Sequence, residues 1–344
     1  MKYSNSYFLD LENSWNSIPD NETFNKKSIL ITGATGLIGS SITDLLLRRN
    51  SVHNSNITII LAGRSQKRIC KRFNCYKEGI DYSFMQYDST VSNEYNINVD
   101  YIIHAASNAD PISYSKKPVD IILANIIGLQ TLLNAASHNN GTRVLYISSS
   151  EVYGENVIAP YKENQYGQID ILNPRSCYPS SKRCAETLCA AYKAQYNVDS
   201  VIVRPGHIYG PMFTMTDSKA SAQFARCAFA GNNIVMKSTG IQKRSYCYAL
   251  DCASAILTVL LKGVSGEAYN ISNSDSFATI SDLAHTFANA VGKKVIYENP
   301  SEIEKTGYNK MTDSSLDARK LERLGWKGIF SLQTGVKKTL ENME

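Results

Sequence analysis

Six short apolar runs punctuate the first two hundred positions: "SILIT" (28–32), "ITIILA" (57–62), "YSFMQYD" (82–88), "DYIIHAA" (100–106), "RVLYIS" (143–148) and "SVIVRP" (200–205). Apolarity at nearly every position, rather than at alternate ones, suits parallel strands buried on both faces. Between the runs lie stretches of helical length, notably 37–50, 118–140 and 178–196. Strand alternating with helix predicts an α/β fold built on a doubly wound parallel sheet. Past Arg204 the alternation stops. Residues 206–245 and 266–344 read as a smaller mixed lobe, and "LDCASAILTVLLKG" (250–263) as an apolar helix packing back on the sheet.

The chain has 344 residues, 43% hydrophobic and 19% charged, which is length enough for a sizeable core and ordinary for a globular protein. Its formal charge of +5 is dispersed, and the one basic cluster, "RSQKRICKR" (64–72), is too short to indicate nucleic acid. The opening "MKYSNSYFLDLENSW" has neither a basic nor an apolar leader region, so no signal peptide is expected. No stretch reads as the ~20 apolar residues of a membrane span. The eight cysteines (70, 75, 177, 184, 189, 227, 247, 252) form no CxxC pair or Cys/His ligand set. They read as reduced thiols of a cytoplasmic protein, with no metal site.

"ILITGATGLIGSSITDLLLRRN" sets Gly33, Gly36 and Gly39 directly after the first strand and at a helix start. Glycines there permit a tight turn and close approach of a pyrophosphate, which the helix amides then hold. The expected domain is therefore of Rossmann type. After the second strand, NAD binders usually carry an acid for the ribose 2′-hydroxyl, whereas an Arg accommodates a 2′-phosphate. This chain has no acid there but Arg64, with Lys67 and Arg68 close behind, so NADP is the expected cofactor and NAD the alternative. Asp88 is a candidate for the adenine amino group. "HAAS" (104–107) is expected under the ribose and nicotinamide.

"SCYPSSKRCAETLCAAY" sets Tyr178 and Lys182 at i, i+4, on one helix face. An ammonium beside a phenol favours phenolate, so Tyr178 is expected as an acid/base with a lowered pKa. With "TGATGLIG", "HAAS", "NIIGLQTLL", "SSSEVYG", "YPSSK", "RPGHIYGP", "GIQKRSYCYALD" and "GEAYNIS" also present, the chain resembles the extended short-chain dehydrogenase/reductase superfamily. The likeness is to its nucleotide-sugar epimerases, dehydratases and decarboxylases and runs from Lys27 to the C-terminus. It implies a dinucleotide-binding domain (28–205 with about 246–265) and a substrate lobe (206–245 with 266–344), while the first 27 residues, polar and aromatic without a clear period, read as an N-terminal arm (1–27) packing on the body. A homodimer formed through two helices per subunit is also implied.

By position, the resemblance makes Ser149 the catalytic hydroxyl, Tyr178 the proton donor or acceptor at the sugar oxygen, and Lys182 the cofactor-ribose ligand. Thr35, Leu37 and Ile38 join the glycines at the cofactor, as do Ser89, Ala105, Ala106 and Ser107. Asn125 helps hold the active-site backbone, and Pro205, Gly206 and His207 lie on the loop at the nicotinamide and substrate phosphates. Asn108, Ser149, Ser150 and Arg244 face the nucleotide-sugar substrate, with Arg244 on its diphosphate.

Dehydratases of the superfamily show Thr-Asp-Glu where this chain has Ser149-Ser150-Glu151. Ser150 is far too weak an acid to protonate a departing hydroxyl, so dehydration is disfavoured. Ser-Glu looks more like UDP-glucuronate decarboxylases, but those keep an acidic ribose ligand, and an Asn where this chain has His207. The leading expectation is an NADPH-dependent reductase of a nucleotide-linked keto sugar, serving surface polysaccharide. The alternative is an epimerase or a UDP-glucuronate decarboxylase-like enzyme that recycles NAD. A non-catalytic dinucleotide sensor ranks last, because Tyr178 and Lys182 are both present. Glu151 orients a sugar hydroxyl or relays a proton, or is a strand-end carboxylate held by local amides.

Overall fold

A computed structural model of the chain describes residues 3–139, 141–214, 217–299 and 311–343. In chain order come α1 (Asn5–Asn16), β1 (Ser28–Thr32), α2 (Leu37–His53), β2 (Thr58–Gly63), α3 (Gln66–Arg72), β3 (Ser83–Gln86) and β4 (Tyr101–His104). Next are α4 (Pro111–Lys116), α5 (Pro118–Ser137), β5 (Arg143–Ile147), α6 (Cys177–Tyr196), β6 (Asp199–Pro205) and β7 (His207–Tyr209). The remainder holds α7 (Ala220–Phe229), β8 (Ile234–Met236), β9 (Lys243–Tyr248), α8 (Ala249–Lys262), β10 (Ala268–Ile271), β11 (Phe277–Thr279), α9 (Ile280–Ala290), β12 (Val295–Tyr297) and β13 (Asp313–Ser314). Two helices follow, Arg319–Glu322 and Leu332–Asn342.

Seven parallel strands form the main sheet in the order β3-β2-β1-β4-β5-β6-β10. Because strand side chains alternate, each apolar run supplies two cores. Ile29, Ile31, Leu145, Val201 and Val203 face the core under α1, α2 and α8, whereas Leu30, Ile102, Val144 and Ile202 face the one under α5 and α6. The strand order reverses between β1 and β4, and their carboxyl ends open the crevice where such sheets bind ligands. The smaller lobe centres on β9, flanked by antiparallel β11 and parallel β7 and β13, with β8 and β12 paired alongside.

Two expectations change. β10, assigned from sequence to the substrate lobe, pairs with β6 as the seventh strand of the dinucleotide sheet (Tyr269 opposite Val203). The N-terminal arm packs on the body through Tyr7, Leu11, Trp15, Ile18 and Phe24, all buried in the main core. Its Tyr7 hydroxyl donates to Asp44 of α2 at 2.9 Å, and Asp44 also pairs with Arg72 at 2.6 Å. Lastly, α5 is long and apolar enough by composition to cross a membrane, yet half of it is buried, against α6 and the sheet.

Candidate active site

β1 ends at Thr32 and the chain turns through Ala34 and Thr35 into α2. Gly33 takes φ +67°, and a Cβ there would sit 2.6 Å from the Ala105 backbone; at Gly39 it would sit 2.4 Å from the Gly33 oxygen. Any side chain at either position therefore breaks the turn or drives β1 and β4 apart. Gly36 N–H donates to the Gly33 carbonyl at 3.0 Å and Gly36 caps α2 without a side chain. The first amides of α2, at Leu37, Ile38 and Gly39, are thus left for an anion, a cradle that fits the pyrophosphate of a dinucleotide.

Arg64, Lys67 and Arg68 are all exposed at the end of β2, with Ser65 capping α3 between them. Asp88 follows β3, and its Oδ1 accepts the Thr90 amide (2.9 Å) and hydroxyl (2.8 Å). These bonds, with the Arg64 charge nearby, hold the carboxyl below the usual range against the cost of burial. Ser89 backs onto Gly128 of α5, where a Cβ would lie 2.7 Å from Ser89 Cβ.

Past β4, Thr32 Oγ1 meets His104 Nδ1 at 2.8 Å and accepts the Ala106 amide at 3.2 Å. Burial, and secondarily the Lys182 charge, push His104 down to about 3, so the ring stays neutral. Ser107 Oγ donates to Asn125 Oδ1 (2.8 Å), Asn125 Nδ2 to Ser181 Oγ (2.9 Å) and Ser181 Oγ to the Tyr178 carbonyl (3.0 Å). This buried relay fixes the start of α6 relative to the loop after β4. Asn108 is exposed and accepts the Asp110 amide at 3.2 Å, so it turns the loop rather than joining the centre.

Tyr178 and Lys182 share the buried face of α6, beside the Ser149–Glu151 turn that follows β5. Lys182 Nζ donates to the Ile147 carbonyl at 2.8 Å and lies 4.7 Å from the centre of the Tyr146 ring. Burial lowers Lys182 to about 7, with Glu186 pulling weakly the other way. The expected lowering of Tyr178 is reversed: burial, then the Glu151 charge, push the phenol well above its usual value. The Ser149 and Tyr114 hydroxyls, placed to hydrogen-bond it, and the Arg175 charge pull it only part of the way back. Helix α6 is held down by Glu186, which takes the Arg204 guanidinium at 2.6 Å and the Ser148 hydroxyl.

Glu151 pairs with Arg175 at 3.1 Å and is not a carboxylate tied to local amides. Arg175 also lies 5.0 Å over the Tyr114 ring, and Tyr114 stacks on Tyr178 with centroids 4.6 Å apart and planes 14° apart. Tyr114 did not emerge from the sequence, and Arg175, which opens the stretch "RSCYPSSKRCAETLC", was given no role there; folding brings α4 and the segment before α6 to Tyr178. Ser150 is buried in the turn.

On the substrate-lobe side, Pro205 ends β6, and Gly206 passes so close to Ser245 that a Cβ would lie 2.6 Å from its oxygen. His207 packs edge-on to Tyr246, and burial, with Arg244 and Lys219, holds it down to about 3. Arg244 is 3% exposed, donates only to the Lys243 and Met311 carbonyls (2.8 and 3.0 Å), and has no ion pair among the described residues. Burial lowers its pKa, and a buried guanidinium without a counter-ion is a ready anion site.

A glycine turn at the switch point of a doubly wound sheet, a buried Tyr-Lys pair on α6 and a buried arginine on the facing lobe thus converge on one crevice. The NAD dependent epimerase/dehydratase family model matches residues 29–272, and the chain belongs to that family. It is 30% identical over 311 residues to UDP-glucuronic acid decarboxylase 3 of Arabidopsis thaliana, covering 90% of this chain and 86% of that one. Against UDP-glucuronic acid decarboxylase 1 of Xenopus tropicalis the identity is 29% over 319 residues, covering 92% and 72%. Among solved structures, UDP-glucose 4-epimerase of Thermotoga maritima with UDP-glucose superposes with a TM-score of 0.76 at 23% identity, covering 92% of this chain and 98% of that one. UDP-glucuronic acid 4-epimerase of Bacillus cereus, in complex with UDP-glucuronic acid and NAD, gives 0.75 at 22%, with the same coverage.

Proposed function

We propose that the protein decarboxylates a UDP-linked uronic acid through a transient 4-keto sugar, with NAD returned to its starting state. The observation that carries this reading over reduction is the Glu151–Arg175 pair beside Tyr178. A cationic guanidinium there suits a substrate that bears its own carboxylate. The names of the relatives by sequence, UDP-glucuronic acid decarboxylases, support the same reading.

The Gly33–Gly39 turn would hold NAD, which would supply a reversible hydride acceptor for the sugar carbon. Tyr178, once its phenol has given up its own proton, removes that of the 4-hydroxyl and later restores it, and Ser149 steadies the same oxygen. Lys182, poised at about 7, supplies positive charge close to the phenol. Once C4 is a carbonyl, the C5–C6 bond breaks, CO2 leaves, and its electron pair passes into a C4–C5 enolate that is protonated at C5. Arg244 takes the diphosphate. The outer faces of α5 and α6 expose Val119, Ile122, Leu123 and Tyr196, which supports a homodimer through these helices.

A second reading, NADPH-dependent reduction of a nucleotide keto sugar, is favoured by Arg64, Lys67 and Arg68 exposed where an acidic ribose ligand is absent. One experiment separates the two. Incubation with UDP-glucuronate and catalytic NAD should release CO2 and a UDP-pentose without accumulating NADH, followed by proton NMR. No CO2, together with consumption of NADPH on a nucleotide 4-keto sugar, would reject the decarboxylase and establish the reductase. An epimerised UDP-uronate without CO2 would also reject it.

A further inference from the structure

Asp110 lies between the two lobes and its carboxylate takes four donors. Oδ2 accepts the Ser113 amide (3.2 Å) and hydroxyl (3.0 Å), capping α4. Oδ1 accepts the Ser218 amide (3.3 Å) and the Ser218 hydroxyl, from the segment that leads into α7 of the substrate lobe. These four bonds outweigh burial and keep the carboxyl below its usual range. Helix α4 is only 6 residues long, too short to be stable alone, so its cap is a large part of what holds it. It carries Tyr114, 1% exposed, whose ring stacks on Tyr178 and whose carbonyl accepts the Cys177 thiol at 3.7 Å.

We infer that Asp110 is a positioning residue: it transmits the placement of the 217–219 segment, through the cap of α4 and the ring of Tyr114, to the catalytic tyrosine. The inference rests on the reading of Tyr178 as the proton-transferring group. Closure of the substrate lobe on its ligand then sets the attitude of a phenol that contacts no residue of that segment. The coupling depends on both oxygens being acceptors. A carboxylate has that property and a carboxamide does not, because its nitrogen meets the Ser218 donors with donors of its own.

The perturbation that separates coupling from capping is Asp110→Asn, since Asn caps helices as well as Asp. Ser218→Ala removes the hydroxyl arm from the other side. The protein labelled with carbon-13 at tyrosine Cζ reports the phenols without any substrate, signals being assigned with Tyr114→Phe and Tyr178→Phe. Ser218→Ala and Asp110→Asn should each shift both the Tyr114 and Tyr178 resonances, although Ser218 lies in the other lobe. In UDP-glucuronate turnover each should lower kcat about tenfold with KM changed less than threefold, and the double variant should be no worse than either single. Unmoved tyrosine resonances would overturn the inference, as would losses that multiply in the double variant. Tyr178→Phe keeps the two readings apart: if it retains turnover, the assignment of the catalytic tyrosine fails, whatever Asp110 does.

Discussion

Lys182 sits in a place that costs the fold stability, and the cost can be measured. Burial takes its ammonium from 10.5 to about 7, and among the described residues no carboxylate contacts it and its one hydrogen bond goes to the Ile147 carbonyl. A shift of ~3.5 units at about 1.4 kcal/mol each puts the penalty near 5 kcal/mol below pH 7. Because the folded-state value is depressed, the unfolded chain binds the extra proton between pH 7 and 10.5. The penalty is therefore full below 7, shrinks as pH rises, and vanishes above 10.5. Lys182→Met keeps the apolar stem against Tyr146 and removes the charge, at the expense of leaving the Ile147 carbonyl without a donor, worth ~1–3 kcal/mol. The variant should be inactive yet more stable than the parent by about 2–4 kcal/mol at pH 6.5. That advantage should decline by about 1.4 kcal/mol per pH unit from 7 toward 9.5. Urea midpoints of both proteins across this range, followed by far-UV circular dichroism, give the difference directly. A difference that does not change with pH, or a variant less stable throughout, would show that the lysine is solvated or paired in solution and refute the reasoning.

Two further outcomes follow from equally local geometry. Gly39→Ala forces a methyl to within 2.4 Å of the Gly33 oxygen, and overpacking of ~1–3 kcal/mol should weaken NAD binding 10- to 100-fold by calorimetry while the circular dichroism spectrum stays unchanged. Asp251 is raised by burial to about 6, although the Ile329 and Phe330 amides and Asn273 favour its charged form. Its contribution is thus full below pH 3.8 and lost as pH rises through 6, a swing of about 3 kcal/mol. The urea midpoint of Asp251→Asn should lack that slope, so the gap to the parent should change between pH 4 and 7; a constant gap would contradict the burial argument.

The sheet was legible because its strands are apolar on both faces, a pattern that few other elements share. β10 was not: "AYNI" is four residues with a polar one among them, and its place beside β6 is set by the helix α8 that precedes it. The glycine turn could be read from its place after β1, the Tyr178–Lys182 pair from its i, i+4 spacing, and Ser149 from the family resemblance alone. Glu151 could be seen but not interpreted, since its partner Arg175 lies 24 positions away. Tyr114 is one tyrosine among 21, distinguished only by the ring it stacks on. The expected fall in the Tyr178 pKa failed for a related reason. Spacing on a helix reveals who the neighbours are, but not how much water reaches them, and at Tyr178 burial outweighs every neighbour.

The integration of α1 into the core separates two boundaries that are easily taken as one. The segment matched by the family model begins at residue 29 and ends at 272. Outside it lie Tyr3 and Tyr7, the two hydroxyls that donate to buried Asp44, and Trp15, which covers the same face of the sheet. Outside it also lie Lys338, which pairs with Asp10 at 3.0 Å, and Asn342, which accepts the Ser4 hydroxyl at 2.8 Å. A chain trimmed to the matched segment keeps the turn, the main-sheet strands and the Tyr-Lys pair but opens Asp44 and Arg72 to water along with the apolar face beneath them. The span that defines the family is therefore smaller than the core this protein packs.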